Sequence, residues 1–457
     1  MSARRSRPQL AARLAHTFAR AVTTAELRKK LLFTLGLIVL FRFGANLPVP
    51  GISEQNVQYC SGLASTSSSP VAGVYAMLNV LSGNALLHVA VFGVGIMPYI
   101  TASIIVQLLT QVIPRLEKLK QEGRSGTAKI TQYTRYLTVG LAVLVSATYV
   151  ELARSGNLFP GTGCSAVNHP LIPHPTAITL VTMMITMVSG TSVVMWMGEL
   201  ITDRGIGNGM SVLIFTSTIS VIFGQMEQIY LTKGRFYTLL AVLVVFVVIT
   251  FVVFIERAQR RIPVQYTRRI TGRRMYGGTA TYIPVKVNQA GVVPVIFASS
   301  LLYVPQLAVL VFSDHAHPQA WEKWIDSNLT YASPSRLYLV AYFALIVAFT
   351  FFYVSVTFNP AEIADNMRKY GGFVPGVRPG RPTAEHLSYV LSRLTAPGAM
   401  YLGVLALFPM IALRLIGMDG QLLSTGTSLL IMVGVGLDTV KQIESQLRQH
   451  NYEGFLR

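Results

Sequence analysis

The chain has 457 residues, of which 52% are hydrophobic and only 12% charged, with a mean hydropathy of +0.50 and a formal net charge of +19. A soluble domain averages about 25% charged residues, so too few charges remain to coat a water-facing surface of this size. That excludes a disordered chain, a coiled coil and an ordinary soluble enzyme, and two cysteines among eight scattered histidines exclude a disulfide scaffold and a Cys-ligated metal centre.

A bilayer core about 30 Å thick needs roughly 20 apolar residues per crossing helix. The chain opens on a basic arm, residues 1–29, with Arg4, Arg5, Arg7, Arg13 and Arg20 and no apolar run close enough for a signal peptide. Ten candidate spans follow, at 30–48, 86–113, 133–152, 176–198, 209–226, 236–255, 290–313, 336–358, 396–416 and 421–440. The first carries Arg42. The sixth has no charge from Tyr237 to Ile255, and the seventh contains Pro294 and Pro305, which lipid-embedded helices tolerate. Ahead of the second span, Val74–Leu87 is apolar but too short to cross. It reads either as an interfacial helix or as a half-helix re-entering a shielded cavity. Residues 441–457 form a tail.

Ten spans put both termini on one side. That side holds 31 of the 38 Lys and Arg with 12 acids, against 6 bases and 7 acids opposite. The positive-inside rule then makes the termini cytosolic. Two cytosolic loops are long and basic. Residues 256–288 carry Arg257, Arg260, Arg261, Arg268, Arg269, Arg273 and Arg274; residues 359–395 carry Arg368, Lys369, Arg378, Arg381 and Arg393. They suit a large acidic or polyanionic partner, or serve as topogenic charge beside anionic lipid. Cys60 and Cys164 fall in outer loops, where oxidising surroundings permit a bridge and free thiols are equally open.

Span interiors are almost free of ionisable groups. Arg42 lies in the outer part of span one, and Glu199, Asp203 and Asp438 lie near span ends. A secondary transporter calls for midplane charges. An intramembrane enzyme calls for a nucleophile with a base, or metal ligands; His88, at the start of span two, has no such partner and reads as interfacial. A passive conduit fits better. Ile96 and Ile100, and Met210 and Ile214, are each spaced to share one helix face. That is the pattern of ordinary packing, and also of an apolar constriction that gates by dewetting.

Seven stretches extend the pattern. They are FGVGIMPYITASIIVQLLTQVIP (92–114), EGRSGTAKITQYTRY (122–136), MWMGELITDRGIGNGMS (195–211), FIERAQRRIPVQYTRR (254–269), KVNQAGVVPVIFASS (286–300), FNPAEIADNMRKYGGFVPGVRPG (358–380) and GTSLLI (426–431). RGIGNG by itself matches a weak nucleotide-loop pattern, but no strand precedes it, so that reading fails. Taken together, the stretches resemble the SecY family of bacterial protein-conducting channels, from about residue 25 to the C-terminus.

The resemblance implies an all-α polytopic membrane protein, with ten transmembrane helices in two inverted pseudo-symmetric halves around an hourglass pore. The halves would be 30–226 and 227–440. It implies no enzyme activity and no cofactor. An apolar pore ring would comprise Ile96, Ile100, Met210, Ile214, Ile296 and Ile431, with Val293 a further candidate; Met210 stands where isoleucine is more usual. A plug helix below the ring would comprise Val74, Tyr75, Ala76, Met77, Leu78, Asn79, Val80, Leu81, Ser82, Gly83 and Asn84. A lateral gate between span two and spans seven and eight would involve Thr101 and Asn288, with Val145 replacing the family's frequent glutamine. Arg260, Arg261 and Arg378 match positions that dock the motor ATPase SecA and the ribosome. The small membrane subunits SecE and SecG, signal peptides, nascent chains and the lipid bilayer complete the implied partners, in the bacterial plasma membrane.

Overall fold

The computed structural model describes residues 24–64, 85, 88–155, 169–266, 269–271, 274–276, 280–312, 320–329, 335–415 and 425–453. The basic arm and the plug segment 74–84 lie outside them. A helix occupies each of the ten predicted spans. These are α1 (Ala25–Asn46), α3 (Met97–Val112), α5 (Arg124–Ser155), α6 (Ala177–Arg204), α7 (Gly209–Lys233), α8 (Arg235–Glu256), α9 (Val293–Phe312), α11 (Arg336–Thr357), α13 (Arg381–Leu415) and α14 (Thr425–Glu453). Short helices lie between them: α2 (Glu54–Ala64), α4 (Pro114–Gln121), α10 (Ala320–Asn328) and α12 (Pro360–Lys369). Among the described residues, six helices are long and apolar enough to cross a membrane, or seven if the bent pair α3–α4 counts as one.

The chain divides into two compact units, residues 1–228 with 431–457, and residues 229–430. In the first unit, predicted span two is helical only from Met97. Residues 91–96 are turns, and Gly95, at φ +61°, takes a left-handed conformation that a side chain would strain. Backbone bonds hold this stretch to the end of α1: Val91 N–H donates to Leu47 C=O at 2.8 Å, and Val49 N–H to Val89 C=O at 3.1 Å. Arg42 on α1 donates to the Thr216 carbonyl on α7. A guanidinium inside a span is costly unless hydrogen-bonded, and this bond supplies such a partner. At the other end of α1, Leu27 and Leu31 pack with Ile206, Ile443 and Leu447. Cys60 on α2 is buried and disulfide-bonded. The only other cysteine, Cys164, lies outside the described residues.

In the second unit the basic loop after α8 is not irregular. It forms β1 (Gln259–Tyr266), β2 (Arg269–Thr271), β3 (Arg274–Tyr276) and β4 (Ala280–Lys286). β1 pairs antiparallel with β4, from Gln259↔Lys286 to Gln265↔Ala280. Its other edge pairs with β5 (Gly372–Phe373), giving the order β4-β1-β5. Side chains alternate across the sheet. Ile262 and Val264 on β1 are buried with Val285, Val374, Leu387, Val390 and Leu391, while Arg261, Pro263 and Gln265 face out. The two basic loops therefore share one small core.

Candidate functional site

The ring candidates of the first unit sit on three helices. Ile96 is the N-cap of α3 and is buried; Ile100 lies one turn on, its N–H bonded to the Ile96 carbonyl at 3.1 Å. Met210 and Ile214 occupy the first two turns of α7. That helix starts on Asn208, whose Oδ1 accepts from Met210 N–H at 3.1 Å and from Ser211 N–H at 3.3 Å, an asparagine cap. Close approach shapes the turn between α6 and α7. Gly207 has φ +89°, and Gly209 N–H donates to Thr202 Oγ1 at 2.8 Å. Met210 lies over Gly198 of α6: a Cβ on Gly198 would strike the Met210 sulfur and stand 2.8 Å from its Cε. RGIGNG is thus a tight helix–helix turn. On α14, a Cβ on Gly436 would meet the Phe215 ring of α7 at 4.0 Å; Ile431 is buried. Ile296 and Val293 lie in the first turn of α9 in the second unit, both half-buried.

The gate candidates have distinct surroundings. Thr101 is half-buried on α3, and its hydroxyl donates to the Met97 carbonyl at 3.1 Å. Val145 is half-buried on α5, beside buried Ser146. Asn288 is 2% exposed. Its Nδ2 donates to the buried carboxylate of Glu256 at the end of α8, and to the Gly291 carbonyl at 3.2 Å. Among the described residues its Oδ1 is buried without a hydrogen-bond partner. Gly398 of α13 presses on the Val287 carbonyl just before it. Sequence reasoning placed Asn288 but missed Glu256 as its anchor. Glu256 had appeared only as the first residue of a charged loop.

The three docking candidates come into one folded element. Arg260 and Arg261 are exposed on β1, opposite Val285 and Pro284. The Arg261 guanidinium stands 4.7 Å from the Tyr282 ring centroid on β4, a cation–π arrangement. Arg378 is exposed in the turn that leads into α13, between Gly376 (φ +84°) and Gly380 (φ +103°), and its backbone carbonyl accepts from Thr383 Oγ1 at 2.8 Å. One further ion pair went unread in the sequence. Arg135 on α5 grips Glu199 on α6 with two bonds, 2.8 Å from Nε and 2.6 Å from Nη2, the planar fork that arginine offers a carboxylate. Among the described residues no group of three or more His, Cys, Asp or Glu is placed to hold a metal.

Comparison with known proteins agrees with this architecture. The family model of SecY matches residues 90–440. The protein translocase subunit SecY of Streptomyces coelicolor is 57% identical over 446 residues, covering 96% of this chain and 99% of the relative. A solved structure describing how the plug domain of the SecY protein stabilises the closed state of the translocation channel aligns at TM-score 0.60 and 17% identity, over 91% of both chains. Sec61 in the canine ribosome–channel complex from the endoplasmic reticulum aligns at TM-score 0.57 and 15% identity, over 91% of both. At those identities the two structures speak for the fold, while the Streptomyces relative and the family match speak for kinship: the chain belongs to the SecY family, the protein-conducting channel subunits of the protein translocase.

Proposed function

We propose that this multi-pass channel subunit, which is not an enzyme, holds its passage shut at rest with an apolar ring and opens it for unfolded polypeptide. The observation that carries the reading is the placement of the ring candidates in aliphatic pairs, Ile96 with Ile100 and Met210 with Ile214, each a single turn apart on separate helices. A ring of such side chains excludes ions because stripping their water is costly. It grips no peptide side chain strongly, so varied sequences slide past. Ile296 and Ile431 complete the ring, and the plug at 74–84 backs it.

Hydrophobic segments leave sideways. The lateral gate runs between span two and spans seven and eight, with Thr101, Val145 and Asn288 tuning its opening. An apolar guest shifts that balance by the area it buries. The folded module of β1, β4, β5 and the Arg378 turn docks the energy source, SecA or the ribosome, through Arg260, Arg261 and Arg378. That a channel of this fold stands in a canine ribosome complex supports the ribosome as one such partner. SecE and SecG are the small companions, signal peptides and nascent chains the cargo, and both termini lie in the cytosol of a bacterial plasma membrane.

The test is site-specific photo-crosslinking in membranes carrying a stalled export intermediate. A benzophenone side chain at Ile100 or Ile214 is expected to join the arrested polypeptide. One at Phe246, 70% exposed on α8, is expected to join lipid only. Equal polypeptide adducts at all three positions would remove the ring assignment.

A further inference from the structure

The connection between α9 and α11 carries a feature that the channel reading leaves unused. α10 puts two of the chain's three tryptophans on one face. Trp321 and Trp324, three residues apart, are 40% and 54% exposed, whereas Glu322 between them is buried. Paired hydrogen bonds fix where this helix stands. Ser335 Oγ donates to the Asn328 carbonyl at the end of α10, at 2.6 Å, and accepts from Tyr338 N–H at 3.1 Å. Ser335 is the N-cap of α11, so α10 ends one hydrogen bond away from the first turn of α11.

α11 has 22 residues. At about 1.5 Å per residue it is roughly 33 Å long, close to the hydrocarbon thickness of about 30 Å. Its C-terminal end leads into the basic module of α12 and β5. Its N-terminal end, with α10 attached, therefore reaches the opposite water–lipid boundary. Leu337 and Val340 in the first turns of α11 are also exposed, so large apolar side chains stand open on both helices that meet at Ser335. Tryptophan concentrates at this level because its ring is apolar while its N–H seeks a polar partner.

We infer that α10 is an interfacial anchor, with Trp321 and Trp324 inserted at the headgroup–acyl boundary of the leaflet facing away from the basic loops, and phospholipid as the ligand. The anchor sets the depth at which α9 and α11 stand in the bilayer. The inference rests on α11 crossing the membrane and is independent of the ring and gate assignments.

Trp196→Phe leaves Trp321 and Trp324 as the only tryptophans of the chain. The full-length variant is reconstituted in vesicles of phosphatidylcholine and phosphatidylglycerol, with acyl chains brominated either near the glycerol or near the methyl end. The expected result is blue-shifted emission that loses most of its intensity with the shallow bromines and markedly less with the deep ones. The further variants Trp321→Phe and Trp324→Phe assign the loss to each ring. Emission quenched by aqueous iodide and not by bromolipid would overturn the anchor, because the rings then face water. Emission reached by neither quencher would also overturn it, because protein then covers them. Circular dichroism of the same vesicles checks that every variant keeps its helical content.

Discussion

Gly198 and Met210 offer a perturbation whose size follows from the geometry. A methyl group on Gly198 would stand 2.8 Å from Met210 Cε, whereas carbon atoms rest about 3.5–4.0 Å apart. The Met210 side chain must then move by about 1 Å. Methionine yields readily, at a cost of about 0.5–1.5 kcal/mol for an off-rotamer torsion. Alanine in place of glycine returns about 1 kcal/mol of helix propensity inside α6. Gly198→Ala is therefore expected to be near neutral in thermal stability while displacing Met210, a side chain of the proposed ring. The assay is resting ion leak across planar bilayers with no substrate present. Gly198→Ala should raise the leak, Met210→Ala should raise it further, and the double variant should match Met210→Ala, because the methyl group then has nothing to displace. Gly209→Ala is the contrast. Its Cβ would strike the Gly198 backbone carbonyl and stand 2.8 Å from Ile201 Cβ, which yields far less, so a loss of about 1–3 kcal/mol or more is expected. Leaks that multiply in the Gly198/Met210 double variant, or a Gly198→Ala channel as tight as the parent, would refute the coupling.

Two more outcomes are expected. Arg378→Glu should weaken partner docking by about tenfold and slow motor-driven export, with normal membrane insertion of the channel. The turn survives because Thr383 uses only the backbone carbonyl of Arg378; export at the parental rate would count against docking there. Asn288→Leu removes a donor from the buried Glu256 carboxylate, and should lower stability by about 1–3 kcal/mol, read as a drop in the thermal unfolding midpoint of purified protein. An unchanged midpoint would show that the Glu256–Asn288 bond contributes nothing.

Hydropathy located every long helix because each must present apolar side chains to lipid, whatever it packs against. It misjudged ends for the same reason. α5 begins at Arg124 and α13 at Arg381, well before their apolar stretches, because a helix continues into water without changing its backbone bonds. Span two failed in the opposite sense: 91–96 are apolar yet turned, through Gly95. The sheet after α8 was hidden by its arginines. Ile262, Val264, Ile283 and Val285 carry its inward face, too few positions to stand out beside seven arginines. The ring and docking proposals draw on motif resemblance, since the sequence spacing of Ile96 and Ile100 alone equally describes packing. Contacts such as Gly198 with Met210, Glu256 with Asn288 and Arg135 with Glu199 join separate elements, and sequence spacing says nothing about those.

The seal can be measured head-on by removing part of it. The Ile100→Gly, Ile296→Gly double variant, reconstituted with its translocase partners, is compared with the parent in a planar bilayer under a salt gradient. Persistent single-channel openings without any translocating polypeptide are the predicted result. A bilayer that stays as quiet as the parental one, at equal channel density, would contradict the idea that these side chains keep ions out.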